Sequence, residues 1–219
     1  MGIEFEAKFL EINAKKMRQI LIANGAIRIH KKKVYKRAVY HRCNETEKGY
    51  ARVRKEGKDI TMTVKILKDP KYPEEFEINI KDSFDKGVNF LSVLGVKRKA
   101  FQESIREKWS HQLVHEITFD TLPGIPTYME IDCTTEESLN KMIKLLNLDV
   151  SKKRYGTFDL TYLEYYGIPL ETINQNTPSL TFSNIQNEIK PTKNIELFQK
   201  MCKIHNNIAK KIKSKKNLN

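Results

Sequence analysis

The chain has 219 residues, of which 39% are hydrophobic and 31% charged, and its formal net charge is +13 at pH 7. This length and composition suit one globular domain with an appendage, and no run approaches the ~20 apolar residues that a membrane helix needs. The acidic, strand-like beginning does not indicate a secretory signal, and the three scattered cysteines, Cys43, Cys133 and Cys202, favour a reducing cytoplasm. The positive charge favours polyanionic partners such as phosphates or nucleic acid.

The first two-thirds of the chain alternate short strand-like runs with helical segments. Residues 3–9 alternate charged and apolar side chains, as a strand does when successive side chains point to opposite faces. Helices are predicted after Asn13, after Asp82 and Ser83, and after Thr134 or Thr135, because these residues are favourable N-caps. The remaining strands are predicted at 34–42, 49–56, 59–67, 74–80, 99–109, 113–120 and 126–133. About eight mostly sequential strands with helices between them predict an α+β fold, an eight-stranded antiparallel β-barrel with flanking helices.

The C-terminal third is organised differently. A short helix is predicted to end at Gly167. Residues 168–192 are rich in Asn, Thr, Pro and Ser and are predicted to form an extended arm outside the core. The final helix is amphipathic, and it carries seven lysines and no acidic residue between Lys200 and Lys216. The predicted units are therefore 1–167, the arm at 168–192 and a basic helix at 193–219.

Each predicted strand has one apolar and one charged face. The ordinary interpretation is that the charged faces meet solvent. Two features favour the opposite orientation: the intervening helices need an apolar sheet face to cover, and the charges are segregated by sign. Arg52, Arg54 and Lys65 lie on neighbouring strands, whereas carboxylates cluster on others. Arginine and lysine bind phosphate oxygens, and carboxylates bind Mg²⁺ or Mn²⁺, so a polyphosphate needs both groups together.

A specific series of motifs follows this pattern. The first strand reads Glu4-x-Glu6-x-Lys8, and six further short motifs occur in order with the same strand parity. They are Ala51-Arg52-Val53-Arg54, Thr61-Met62-Thr63-Val64-Lys65, Glu74-Glu75-Phe76-Glu77, Arg106-Glu107-Lys108-Trp109, Ile117-Thr118-Phe119-Asp120 and Tyr128-Met129-Glu130-Ile131-Asp132. Over about residues 1–167 the chain resembles the CYTH superfamily, also called triphosphate tunnel metalloenzymes. Residues 155–167 and 176–182 resemble the prokaryotic branch often labelled class IV adenylate cyclase.

The resemblance implies a tunnel whose basic residues hold a triphosphate and whose glutamates hold one or two divalent ions, Mg²⁺ or Mn²⁺. Two positions depart from the pattern: Ser104 stands where many members have lysine, and the C-terminal basic residue is ambiguous among Lys152, Lys153 and Arg154. The implied metal ligands are Glu4, Glu6 and Glu130, with Asp132 and Glu75 as further candidates. The implied phosphate contacts are Lys8, Arg37, Arg52, Arg54, Lys65 and Arg106, and the catalytic candidates are Glu77, Asp120 and Lys65.

Three functions are compatible with this tunnel. The first is a divalent-metal-dependent triphosphatase acting on inorganic triphosphate, a nucleoside or thiamine triphosphate, or an RNA 5′ end. The second is a class IV adenylate cyclase, which converts ATP to cyclic AMP and pyrophosphate. The third is a binding module for polyphosphate or a nucleotide. The basic C-terminal helix is expected to dock on the barrel, with RNA recruitment as the sharper alternative, and the resemblance raises a homodimer as an expectation.

Overall fold

A computed structural model describes residues 2–3, 5–43, 48–68, 72–174 and 176–216. The chain folds as a curled, mainly antiparallel sheet with helices packed around it. The strands are β1 Gly2–Ile3, β2 Phe5–Phe9, β3 Ile27–Tyr40, β4 Gly49–Glu56, β5 Asp59–Ile66, β6 Glu74–Asn79, β7 Arg98–His111, β8 Val114–Thr121, β9 Tyr128–Cys133, β10 Lys153–Arg154 and β11 Ser179–Leu180. The helices are α1 Ala14–Ala23, α2 Phe84–Val93, α3 Glu136–Leu145, α4 Asp159–Tyr166, α5 Leu170–Asn174, α6 Ile185–Glu188 and α7 Ile195–Lys216, with a 3₁₀ turn at Val150–Lys152.

The order of the strands makes the sheet curl toward a barrel. Along the sheet the order is β1-β6-β5-β4-β3-β7-β8-β9-β2-β10, and β11 pairs with β7 in parallel. The N-terminal run joins the two ends of this strand order, because β1 pairs with β6 and β2 pairs with β9. Counted once, this run and β3 to β9 are the predicted eight antiparallel strands, with β10 and β11 as short additions. The predicted α+β barrel architecture is confirmed.

Helices cover the apolar outer face of the sheet. On β2, Ala7 and Phe9 are buried against Leu21 of α1 and Met142 of α3, in a core that also contains Trp109. The predicted caps explain where these helices begin. The side chains of Asn13, Ser83 and Thr135 each accept a hydrogen bond from the backbone N–H three residues later.

Two strands are longer than the sequence predicts. β3 begins at Ile27 rather than at residue 34, and β7 runs to His111. The early part of β3 is a polar run, Arg28 to Lys33, whose residues give little strand signal. Its extended conformation comes from pairing with β7, which register shifts interrupt between Arg28 and Lys33.

The segment predicted as an extended arm contributes to the core instead. Ile168, Ile173, Leu180 and Ile185 are buried in a second apolar cluster with α4 and the start of α7, and Phe182 is buried beneath α7. The prediction was wrong because these apolar residues are spaced between polar ones without a regular period. Their burial depends on contacts with distant parts of the chain.

The C-terminal helix α7 docks on the outside of the barrel, as the ordinary interpretation predicted. Phe198, Cys202 and Ala209 are buried, and Lys213 Nζ lies 2.6 Å from Glu103 Oε1 of β7. Within the described residues, no helix is both long and apolar enough to cross a membrane.

Acid should weaken the packing of α7, because His205 is buried in it. The imidazole is 4% exposed and lies beside the ring of Phe182, and burial, reinforced by Lys32, lowers the pKa of His205 to about 4. The unfolded chain, with a histidine pKa near 6.5, therefore binds more protons than the folded protein between these values. The free energy of unfolding has its full value above pH ~6.5 and falls by about 2–3 kcal/mol as the pH drops to ~4.5.

Urea unfolding followed at several pH values tests this prediction. His205→Leu should flatten the profile between pH 6.5 and 4.5, whereas His115→Ala, at an exposed position, should keep the wild-type slope. An unchanged slope in His205→Leu would contradict the prediction.

Candidate active site

The register of the strands places the predicted site residues on one face of the sheet. Directly opposed residues of antiparallel strands point to the same side. Lys8 lies opposite Glu130, Arg106 opposite Asp120, and Lys65 opposite Glu75. Although charged, this face is largely removed from solvent, because the apolar face carries the helices and the sheet curls around the charges. Its buried members include Glu6, Lys8, Arg52, Lys65, Thr118 and Asp120.

Two lysines and three carboxylates form the first cluster on this inner face. Lys8 Nζ lies 3.3 Å from both Glu6 Oε1 and Glu130 Oε2, and it also donates to the carbonyl of Gly156 at 2.7 Å. Lys65 Nζ lies 3.3 Å from Glu75 Oε2 and 3.8 Å from Glu6 Oε1.

Electrostatics keep Lys8 and Glu130 ionised. Burial alone would raise the pKa of Glu130, but Lys8 and Arg106 outweigh burial and lower the pKa to about 2. Burial would likewise lower the pKa of Lys8, yet Glu130 and Glu6 raise it above its ordinary value. Both partners therefore carry full charge at neutral pH.

A second cluster joins β4, β5 and β6. Arg52 contacts Glu75 at 3.0 Å and donates through Nε to the hydroxyl of Thr63 at 3.2 Å. Thr63 in turn donates to Glu77 at 2.7 Å, and Arg54 Nη2 lies 3.4 Å from the same carboxylate. The carboxylate of Glu77 is thus held by its neighbours at the more exposed side of the cluster.

Arg106 is the centre of a third cluster on β7, β8 and β9. It donates to both oxygens of Asp120 at 2.7 Å and to Glu116 at 3.1 Å, and it lies 3.6 Å from Glu130. Thr118 also donates to Asp120 at 2.8 Å. Because its oxygens are occupied in this way, Asp120 is placed to orient Arg106 rather than to contact water.

Arg37 differs from the other inner arginines because it has no carboxylate partner in the part of the chain that the structure describes. Its guanidinium instead lies 4.7 Å from the ring of Phe158, just before α4. Burial, together with the positive charges of Arg52 and Arg106, lowers the pKa of Arg37. A cation held beside like charges, without an anion, is a position where a bound anion would be strongly stabilised.

Aromatic side chains pack together at the end of the barrel near Arg37. Tyr128, on the inner face, is buried in the same cluster as Tyr162 of α4, and Phe158 packs against that cluster. Sequence reasoning missed Phe158. The only signal was the position of Phe158 within the short helix predicted before Gly167. That position does not reveal that the Phe158 ring packs on Arg37.

The carboxylates of the site fit a hard divalent cation. Glu6 and Glu130 offer only oxygen donors and face each other across Lys8, and Asp132 lies opposite Glu6 in the register. This is the donor chemistry that Mg²⁺ and Mn²⁺ prefer. Within the described residues, no three His, Cys, Asp or Glu side chains form a ready-made metal cluster. Glu4, the predicted third ligand, lies outside the described residues.

No protein-family model matches the chain, and no curated protein matches it in sequence. Solved structures do match it in fold. A protein from Vibrio parahaemolyticus described as a "putative adenylate cyclase" superposes with a TM-score of 0.60 at 16% identity, over 73% of this chain and 97% of that one. The chain therefore has the same fold as this protein. A conserved hypothetical protein from Pyrococcus furiosus matches with a TM-score of 0.58 at 19% identity, over 71% of this chain and 97% of its own.

The PH1819 protein from Pyrococcus horikoshii shares the fold as well, with a TM-score of 0.55 at 22% identity over 74% of this chain and 98% of its own. These three neighbours are matched along nearly their whole length, whereas about a quarter of this chain has no counterpart in them. At these identities the comparisons establish the fold, and the function is argued from the site.

Proposed function

We propose that this protein is a divalent-metal-dependent triphosphatase that hydrolyses the terminal phosphate of a triphosphate substrate. The observation that carries the proposal is Arg37, a half-buried cation beside Arg52 and Arg106 that has no carboxylate partner among the described residues. Opposite these cations, Glu6 and Glu130 supply carboxylate oxygens on the same inner face. The negative phosphate groups of a triphosphate would pair with the arginines. The divalent cation bound to the triphosphate would pair with the carboxylates.

The inner-face residues divide into distinct roles. The cations neutralise negative charge on the substrate's phosphate groups as the terminal phosphoanhydride bond breaks. The residues that bind the phosphate oxygens are Lys8, Arg37, Arg52, Arg54, Lys65 and Arg106. Glu4, Glu6 and Glu130 would hold Mg²⁺ or Mn²⁺, with Asp132 and Glu75 as further candidate ligands. The cation would polarise the phosphoryl group and position its oxygens. Glu77, the most exposed carboxylate of its cluster, orients the attacking water, Lys65 stabilises the transferred group, and Asp120 fixes Arg106.

A product assay tests this function. Purified protein with Mg²⁺ or Mn²⁺ is incubated with inorganic triphosphate, ATP, thiamine triphosphate and RNA bearing a 5′-triphosphate. Release of orthophosphate from at least one substrate is expected, and it should be lost in the Glu4→Ala/Glu6→Ala variant. If no substrate releases phosphate with either metal, the proposed function is wrong.

The second candidate is a class IV adenylate cyclase, which the name given to the Vibrio neighbour favours. In that reaction the ribose 3′-hydroxyl of ATP attacks the α-phosphorus, and pyrophosphate leaves. Cyclic AMP with pyrophosphate in the ATP assay would identify the cyclase, whereas ADP with orthophosphate would identify the hydrolase. Tight binding of a triphosphate without either product would identify a binding module.

RNA recruitment by α7 is a further proposal about the partner. Lys203, Lys210 and Lys211 are exposed on the helix, away from the buried Phe198 and Ala209 that dock it. Deleting the helix would therefore disturb the fold as well as the charge. The sharper test is Lys203→Gln/Lys210→Gln/Lys211→Gln, which removes charge and preserves packing.

These substitutions should weaken RNA binding in a salt-dependent way. A plot of the logarithm of affinity against the logarithm of salt concentration has a negative slope. Its magnitude should decrease by about 2 if three phosphate contacts are lost. Turnover of inorganic triphosphate should not change. Lys144→Gln on α3 is the matched control and should leave RNA affinity at the wild-type value, while an unchanged salt slope in the triple variant would refute recruitment. The homodimer and the cytoplasmic location stay predictions from sequence.

A further inference from the structure

Strand β6 has an open edge along most of its length. One side pairs with β5, and within the described residues the other side pairs only with the two residues of β1. The last four residues of the strand, 76–79, are all exposed. Ile80 donates its N–H to the carbonyl of Ile60 in β5 at 2.8 Å. Because backbone groups alternate between the two sides of a strand, those of Glu77 and Asn79 point to the free edge.

The outer face beside this edge is apolar and exposed. Glu77 points to the inner face, so its neighbours Phe76 and Ile78 point outward. There Phe76 lies opposite Val64 of β5, and Ile78 lies opposite Met62. Directly opposed residues point to the same side of a sheet, so these four side chains form one apolar surface. Val64, Phe76 and Ile78 are exposed, which shows that the helices around the sheet leave this surface open to solvent.

Helix α2 adds further apolar side chains next to β6. A Cβ added at Gly87 of α2 would lie 3.0 Å from the side chain of Ile80, so the helix packs directly against the end of β6. Phe90 and Val93 of the same helix and Leu94 after it are also exposed. An exposed edge strand with an apolar face is a template for pairing with another strand, and exposed apolar patches mark protein interfaces.

The charge of this region favours a second copy of the chain as the partner. Residues 59–94, which contain β5, β6 and α2, have five lysines, no arginine and seven acidic residues, in a chain whose net charge is +13. Two copies repel each other through their basic faces, and they can approach closely where the excess of positive charge is missing. An acidic partner would be drawn to the basic faces instead.

We propose that β6 pairs in antiparallel fashion with β6 of a second copy, across a two-fold axis. Glu77 of each protomer then exchanges backbone hydrogen bonds with Asn79 of the other, and the hydrogen bonds to β5 stay intact. The two copies of Ile78 face each other at the axis as a non-hydrogen-bonded pair, the arrangement that brings side chains closest. This pairing is independent of the proposed function, because it uses the outer face and the free edge of β6.

Sedimentation equilibrium of the full chain tests the pairing. At about 1–100 μM protein, which covers the weaker interfaces of standard size, the wild type should have twice the mass of one chain. Ile78→Lys should weaken association at least about 100-fold, because it sets two like charges opposite each other at the axis. Raising the salt concentration should strengthen the wild-type dimer, because salt screens the repulsion between two basic copies.

Ile27→Lys is the matched control for the added charge. Ile27 begins β3 and is 67% exposed, close to the 64% of Ile78, and its substitution should leave the dimer at wild-type strength. Asn79→Pro tests the strand pairing itself. It removes an N–H at the free edge and no hydrogen bond to β5, as proline on an edge strand allows, so it should also abolish the dimer.

Amide hydrogen exchange guards against a variant that merely misfolds. The N–H groups of Glu77 and Asn79 should exchange slowly in the wild-type dimer and rapidly in Ile78→Lys, while the N–H of Ile80, bonded to β5, stays protected in both. Rapid exchange at Glu77 and Asn79 in a wild-type dimer would contradict the pairing.

Three outcomes would refute the proposal. The wild type could stay monomeric at about 100 μM, above the Kd range of stable interfaces. A dimer could persist in both Ile78→Lys and Asn79→Pro, which would place its interface elsewhere. A monomer could gain mass only with a different protein bound at β6, which would assign the edge to that partner. Phosphate release, measured separately, reports on the proposed function in each case.

Discussion

Arg106→Met should lower the free energy of unfolding by about 3–5 kcal/mol. The guanidinium of Arg106 donates to both oxygens of Asp120 and to Glu116, and it lies 3.6 Å from Glu130. Burial opposes its charge, yet these three carboxylates raise the pKa of Arg106 well above its ordinary value. Removing it leaves three carboxylates of the barrel interior without their shared cation. Urea unfolding at neutral pH measures the loss.

The pH dependence and a matched control make this prediction specific. The deficit of Arg106→Met should shrink as the pH falls, because protonation removes the uncompensated carboxylate charges. Arg154→Met removes a bidentate pair with Glu164 that is 43% exposed on both sides, and it should cost only about 0–1 kcal/mol. Equal losses in the two variants would show that the buried network does not stabilise the fold.

Arg37→Met should have the opposite profile, with lost activity and preserved stability. Arg37 has no ion pair to lose among the described residues, and its removal relieves repulsion by Arg52 and Arg106. The free energy of unfolding should therefore stay level or rise. Activity should fall at least 100-fold in kcat/KM, about 2.7 kcal/mol of transition-state stabilisation, because a phosphate contact is lost.

Steady-state phosphate release and urea unfolding, measured on the same preparations, check both halves of this prediction. Arg37→Lys keeps the charge but loses the planar fork, so it should fall between the wild type and Arg37→Met. Lys55→Met removes an exposed cation on the outer face and should leave both measurements unchanged. Wild-type kcat/KM in Arg37→Met would remove the main support for the proposed function.

Much of the site could be predicted because strand periodicity is a local property. Alternation along 3–9 already placed Glu6 and Lys8 on one face, and the register confirms that Lys8 faces Glu130. Local signals also located helix starts, since Asn13 and Thr135 cap α1 and α3 as predicted.

The misses share one physical cause, which is that the interactions concerned join distant parts of the chain. Phe158 covers Arg37 from a segment more than a hundred residues away, and no local pattern at either residue announces that contact. The core contribution of 168–192 was missed for the same reason. The pairing of Gln102 with Arg37 likewise depends on how β3 and β7 align.

The sequence by itself determined which side chains share a face, which charges lie together on neighbouring strands, and where helices begin. Only the tertiary structure decided that the charged face is the inner one, because that depends on helices covering the opposite face and on the N-terminal run pairing with both β6 and β9. It also decided which cations are paired. Among the described residues, Arg106 has carboxylate partners and Arg37 has none, although the two residues look alike in sequence. Alternation is set by the geometry of one strand, whereas the partner of a buried charge is set by strands that meet only when the sheet curls.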